Sequence, residues 1–191
     1  MKHAPRRFMK SEAGSATVEF VVIFMAFIAI VFFVVEVTLY LFFMASLEKA
    51  AQAGVRAAVV SAPVAAGVPL TIGKGDTGIY GQKCSVTATT CVAIPTQSCT
   101  GATCEPVGFA RILTHMRGFN GRIEAADVTV TYASAGGGIG FAGGPSAPMV
   151  TVTVAGVPFQ TGILGLLLGD AGGLATLPTR SASMTGEDLA P

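Results

Sequence analysis

From Val18 to Leu47 the chain is apolar at every position except Glu19, Glu36, Thr38 and Ser46, with neither glycine nor proline. About 20 apolar residues in a helix cross the hydrocarbon core of a bilayer. This run exceeds that length, and nothing in it breaks a helix. It is also too long for the 7–15-residue apolar core of a removable secretory signal. It predicts a helix that stays in the chain and spans a membrane at about residues 18–44.

The flanks orient that helix. Lys2, Arg6, Arg7 and Lys10 precede it, with His3 beside them; beyond Leu47 eight basic residues meet eight acidic ones. A basic flank stays on the cytoplasmic side. The N-terminus is therefore expected in the cytoplasm, and residues 62–191 outside it. A net charge of +1 gives no basic field for nucleic acid, so no nucleic-acid partner is expected.

Cys84, Cys91, Cys99 and Cys104 are the chain's 4 cysteines. An even, clustered set outside the cytoplasm reads as two disulfides. Three connectivities exist; Cys84–Cys91 with Cys99–Cys104 closes the shortest loops and is favoured. A zinc site is disfavoured, because no CxxC and no neighbouring His accompany the set. No metal and no cofactor are expected.

The rest reads in segments. In LEKAAQAGVRAAVV the residues Leu47, Ala50, Ala51, Gly54, Val55 and Ala58 form a small-residue stripe at helical spacing. The helix is expected to run from about Thr17 to Ser61, with Pro63 ending it. A short strand is expected at Val68–Ile72, and a strand pair or stapled loop in the cysteine segment. Phe109, Ile112, Leu113 and Met116 mark an amphipathic helix stopped by Gly118. DVTVTYA (127–133) and MVTVTVA (149–155) alternate strictly and read as half-buried strands able to pair antiparallel. The Gly-rich linker between them is too long for a tight turn and is expected to be mobile. Ile163–Leu168 is too short to span a membrane and is expected to pack on the sheet or lie near lipid. A last strand is expected near Thr179–Met184. The class is α+β: a long, partly transmembrane N-terminal helix, then a small antiparallel β domain with one short helix and disulfide-stapled loops.

Two features are decoys. Gly138–Gly143 matches G-x-G-x-x-G, but a proline-containing turn and a strand follow where a nucleotide site needs a helix. His115 lies among Ile112 and Met116 with no nucleophile to serve, and no catalytic set is defensible.

The junction Gly14-Ser15-Ala16-Thr17-Val18-Glu19-Phe20 carries the chemistry. Gly14 allows close backbone approach by a protease, and Ser15 and Ala16 are small. Glu19 lies near the helix start, where the dipole favours a negative charge. An ionisable residue at such a place is a functional candidate by default. Glu36 lies about 25 Å further along at 1.5 Å per residue. It reads either as a partner for a neighbouring helix or as a carboxylate near the outer interface, with Tyr40 one turn away.

These residues resemble the type IV prepilin processing site. With Glu36 and the stretch Ala50-Ala51-Gln52-Ala53-Gly54-Val55-Arg56, residues 10–60 are similar to TadE-like pseudopilins of tight-adherence (Flp-type) pilus systems. The resemblance implies a 1–14 leader, removed by a prepilin peptidase after Gly14. Glu19 then becomes the fifth residue of the mature chain. A helix over 15–61 and an extracytoplasmic domain over 62–191 complete the expected organisation. It implies a minor, non-enzymatic pilus subunit in the bacterial inner membrane. Its implied partners are the peptidase, other pilin and minor pilin subunits, the inner-membrane assembly platform and the lipid bilayer. Glu19, Glu36, Gly54 and Arg56 would be its assembly residues. The rival readings are an uncleaved single-pass envelope scaffold or adhesin, and a membrane-tethered enzyme or ligand-binding domain.

Overall fold

The computed structural model describes residues 13–87, 89–134, 140–160, 162, 174–186 and 189. These fall into two compact units, one within Met1–Leu41 and Gln160–Ala175, the other within Phe42–Phe159 and Thr176–Pro191. The expected packing of Ile163–Leu168 lies outside the described residues.

One helix, α1, runs unbroken over Ala13–Val59. It starts four residues before the expected Thr17 and stops two before Ser61. The stop is local: the Ser61 hydroxyl donates to the Ala57 carbonyl at 2.9 Å, and the ring of Pro63 bars a further turn.

The first unit contains the apolar part of α1. Val18, Phe20, Ile23, Met25, Phe27, Ile30 and Phe32 are all more than half exposed. Such a face is stable only in an apolar surrounding, since each large side chain left in water forgoes about 1.5–3 kcal/mol. Among the described residues α1 is the helix long and apolar enough to cross a membrane; its best window has mean hydropathy 3.0 and is 0% buried. A single-pass membrane protein fits this feature.

The second unit is a four-stranded antiparallel sheet with helix laid on one face. Its order is β1 (Gln97–Thr100), β2 (Val128–Ala133), β3 (Met149–Val154) and β6 (Arg180–Thr185). Two short strands, β4 (Pro158–Gln160) and β5 (Leu174–Thr176), form a separate ladder. The two VTVT stretches pair as expected, with Val128 opposite Val154 and Val130 opposite Val152. The period of two then sorts the side chains. Val128, Val130, Tyr132, Val150, Val152 and Val154 point inward and are fully buried. On the outer face the register aligns hydroxyls in rows. Ser98, Thr131, Thr151 and Ser183 form one, and Thr100, Thr129, Thr153 and Ser181 the next. Thr100 bonds Thr129 and Thr151 bonds Ser183, each at 2.8 Å.

The short helix α2 (Pro106–Arg117) forms as expected. Pro106 presets its first φ, and the Glu105 carboxylate accepts the N–H groups of Val107 at 3.0 Å and Gly108 at 2.6 Å. Those two bonds, Gly108 first, hold the Glu105 carboxyl below its usual pKa. Phe109, Ile112, Leu113 and Met116 are buried. Gly118 ends the helix in ordinary right-handed geometry at φ −60, not in the left-handed conformation that favours glycine. Phe119 and Asn120 turn back instead, both donating to the Met116 carbonyl.

Both favoured disulfides are present, Cys84–Cys91 and Cys99–Cys104, with Cα separations of 5.2 and 5.1 Å. Two loop expectations need correction. Val68–Ile72 is no strand: it contributes one isolated bridge, Thr71 to Pro145, because Pro69 offers no N–H. The linker before β3 is also not free over its described half. Gly140, Ala142, Gly143 and Gly144 exchange backbone hydrogen bonds with Ile72, Gly81, Gln82 and Cys84 at 2.8–3.0 Å. Residues 135–139 of the linker lie outside the described set.

Candidate functional site

The sequence-derived candidates are strung along α1 rather than gathered in a pocket. Gly14 and Ser15 lie in its first turn, since the helix opens at Ala13. The junction is therefore helical, not an extended segment ahead of the helix. A glycine in a helix interior costs about 1 kcal/mol relative to alanine. The first four N–H groups of any helix lack internal partners. Opening this turn is therefore cheap, and a protease that binds extended backbone meets little resistance.

Glu19 and Phe20 follow within the next two turns, and both are exposed. Phe20 stacks on Phe24 at 5.8 Å between ring centroids. That contact is the i,i+4 neighbour relation of a helix surface.

Glu36 is half-buried, and its carboxylate accepts the backbone N–H of Gly162. The partners of this acid thus include a backbone donor of its own chain. Thr38, close by, donates its hydroxyl to the Val34 carbonyl at 2.8 Å, the usual way a helix hides a hydroxyl in apolar surroundings.

Gly54 and Arg56 part company. Arg56 is exposed, whereas Gly54 is buried between α2 and the sheet. A β-carbon on Gly54 would lie 2.7 Å from Met116 Sδ, 2.8 Å from Met116 Cγ and 3.3 Å from Val152 Cγ1. Leu47, Ala50, Ala51, Val55 and Ala58 are likewise buried, so the small-residue stripe is the seam along which α1 meets its own domain. The spacing revealed the stripe; what it packs on was not legible.

Sequence reasoning missed two buried polar joints. The phenol oxygen of Tyr132 accepts the N–H of Val64 at 3.1 Å, tying the turn after α1 to the sheet. Burial pushes the Tyr132 phenol up, partly offset by that N–H. Asn120 Nδ2 donates to Ser46 Oγ at 3.0 Å, and Arg122 lies 4.4 Å over the ring of Phe43. Phe43 also meets Phe159 edge to face at 5.6 Å. The alternation that buries Tyr132 was a usable signal, since a buried phenol needs a partner. No local pattern pointed to Asn120.

His115 is exposed on α2. Gly140 and Gly143 of the glycine motif sit in the bonded loop ahead of β3, where no helix begins. All four cysteine sulfurs are taken up in disulfides.

The model of one protein family, described as TadE-like protein, matches residues 14–56. That span begins at the junction glycine and ends at Arg56, and so holds Glu19, Glu36 and Gly54. It leaves the domain beyond α1 unmatched. No curated protein and no solved structure matches the chain.

Proposed function

From that match we propose that the chain is a minor pilin or pseudopilin of a tight-adherence type IV pilus system. A prepilin peptidase would cut between Gly14 and Ser15. α1 would sit in the inner membrane with residues 1–14 in the cytoplasm and the α+β domain in the periplasm. The mature subunit would then join other pilins at the assembly platform, to initiate, cap or tune the fibre.

The observation that carries this reading is the apolar part of α1, exposed along its whole length behind a family-matched junction. One surface of that kind serves two surroundings in turn. It dissolves in lipid before assembly and packs against other helices afterwards, with no repacking of the folded domain. Glu19 supports the same reading. After cleavage Ser15 carries a positive amine, and Glu19 is a carboxylate placed to meet such an amine on its own chain or a neighbour's. In an apolar surrounding a charge costs about 2.5–3.5 kcal/mol on insertion scales, so a partner matters there.

The test is the mass of the N-terminus in cells with and without the peptidase. A chain starting at Ser15 only when the peptidase is present supports the reading. In the same cells Glu19→Ala is expected to be cut but to impair piliation, and normal piliation would remove the assembly role of Glu19. A second reading draws on the helical junction. Because Gly14–Ser15 lies inside the first turn of α1, an uncleaved single-pass scaffold is its natural rival. An intact N-terminus in both strains would favour that scaffold.

A further inference from the structure

The four-stranded sheet has two edges, and they are built differently. β1 closes one with four residues, and the Cys99–Cys104 disulfide ties down its end. β6 closes the other with six residues, each in register with β3. Among the described residues no strand lies beyond β6. Ser181, Ser183, Met184 and Thr185 are exposed.

An open edge offers a row of backbone donors and acceptors to any extended chain. Folded proteins guard such edges with proline, lysine, a bulge or a covering segment. β6 reads RSASMT, with neither proline nor lysine. Its unbroken register with β3 leaves no bulge. Its one charge, Arg180, stands at its first position.

The ladder fixes which backbone groups face out. The Gly186 N–H donates to the Pro148 carbonyl at 2.8 Å, one step beyond the Met149–Thr185 pair. Hydrogen-bonded pairs alternate with non-bonded ones in an antiparallel ladder. Gly186, Met184, Ala182 and Arg180 therefore bond towards β3. The Ala155 N–H donates to the Asp127 carbonyl at 2.9 Å, which assigns β3 the same way from its other side. Ser181, Ser183 and Thr185 consequently turn both N–H and C=O to the open edge.

We propose that β6 pairs antiparallel with β6 of a second copy of this chain, about a two-fold axis normal to the sheet at Ser183. The axis opposes Ser183 with itself and Ser181 with Thr185. All three outward residues then bond, two bonds to each opposed pair, about six in all. Centring on Ala182 instead opposes Ser181 with Ser183 and leaves Thr185 unused. The side chains agree with the Ser183 axis. On the outer face only hydroxyls meet, and the row of Ser98, Thr131, Thr151 and Ser183 runs on into the second copy. On the inner face Ala182 opposes Met184, which gives an apolar neighbour to a side chain 41% exposed in the single chain. Arg180 falls opposite Gly186, so like charges do not meet across the seam. The contact is self-complementary and closes at two copies. A strand edge is smaller than the about 1,200–2,000 Å² that holds a stable pair, so the dimer is reversible and grows with concentration. The pairing needs only the folded unit.

The test is disulfide trapping of the full chain in excess detergent micelles under mild oxidant. Opposed residues of a hydrogen-bonded pair lie about 5.5 Å apart between Cα atoms, within disulfide reach. Ser183→Cys is therefore expected to give a linked dimer. Thr151→Cys, in the same row, would lie about 14 Å from its copy and should give at least about fivefold less. Ser181→Cys mixed with Thr185→Cys should link, and either alone should not. Adding Ser183→Lys to both of these should abolish that link, because like charges then face each other. Ser183→Lys on one and Ser183→Glu on the other should restore it. Peptide mapping would confirm that Cys84–Cys91 and Cys99–Cys104 are intact in each variant.

A Ser183→Cys dimer no more abundant than that of Thr151→Cys overturns the pairing. A Ser183→Cys dimer without the Ser181–Thr185 link overturns the antiparallel register. A link to the Ser183→Cys chain from a protein of another mass, with none to itself, gives the edge to a foreign strand and overturns the self-pairing.

Discussion

Replacing Gly54 with alanine sets two opposing effects against each other, and the structure says which wins. Within a helix, alanine is better than glycine by about 0.8–1.0 kcal/mol. At this position the new methyl would lie 2.7–2.8 Å from the Sδ and Cγ of Met116. Met116 is fully buried, and the clash falls on the body of its side chain rather than on a free tip. Val152 on the sheet stands 3.3 Å away and blocks relaxation on the other side. Overpacking of this kind costs about 1–3 kcal/mol. The net expectation is a loss of about 1 kcal/mol, which lowers Tm by about 2–4 °C in a chain this size.

Met116→Ala alone should cost about 2–5 kcal/mol through the cavity it leaves. In that background the clash of Gly54→Ala with Met116 disappears, and only the 3.3 Å approach to Val152 Cγ1 opposes the helix preference. Its sign should then reverse to a gain of about 1 kcal/mol. The four proteins would be compared in detergent micelles by thermal unfolding, followed by near-ultraviolet circular dichroism of the buried tyrosine and the disulfides. A coupling of about 1–3 kcal/mol is expected between the two sites. Gly54→Ala that stabilises both backgrounds equally would refute the claim that this glycine exists for close packing.

Tyr132 makes an alkaline prediction. Its folded phenol holds its proton more tightly than the unfolded one, so its stabilisation is whole below the ordinary phenol pKa of about 10 and is lost as pH rises through the folded value. Tyr132→Phe should flatten the alkaline limb of a stability–pH curve. It should also cost about 1–3 kcal/mol at neutral pH by orphaning the buried Val64 N–H. Glu105 acts in the opposite range: its lowered pKa gives stability that is present above the ordinary carboxylate value and lost as pH falls through the folded one. Glu105→Gln should therefore weaken the acid dependence of unfolding, and an unchanged acid limb would exclude the cap as its source. Replacing either cysteine pair by serine should cost about 2 kcal/mol, since both loops are short. Denaturant titration of Cys84/Cys91→Ser and Cys99/Cys104→Ser checks this, with near-zero loss as the contrary result.

What could be read in advance followed the range of the interactions involved. The two VTVT strands and α2 announce themselves because burial imprints a period of two or 3.6 on adjacent residues. β1 was hidden. It is four residues long, QSCT, and its partner in β2 begins about thirty positions later, so its strand character comes from a neighbour rather than from itself. The expected strand at Val68–Ile72 failed for the converse reason: its apolar look carried no ladder once Pro69 removed a donor. The glycines of the linker were read as freedom. In the fold, Gly140 and Gly143 take positive φ of 99 and 83 while the neighbouring backbone bonds another loop. Of the candidate residues, the positions were visible and the roles only partly so. The stripe holding Gly54 showed a packing face without naming Met116 and Val152, and nothing near Glu36 in sequence pointed to Gly162.

The seam between α1 and its domain also has a mechanical meaning. Its buried residues run from Leu47 to Val59, about 18 Å along the helix axis. On the proposed reading, a subunit drawn out of a bilayer, or held in a fibre under tension, would take load through the N-terminal part of that same helix. Force along the axis then acts on the whole seam at once, in shear, and no single contact can be peeled before the rest. Because the seam is knit from alanines, a glycine and valines at close approach, rupture would require many short contacts to fail together. One continuous helix would then serve both as anchor and as tether, and the folded domain would travel with whatever pulls on it.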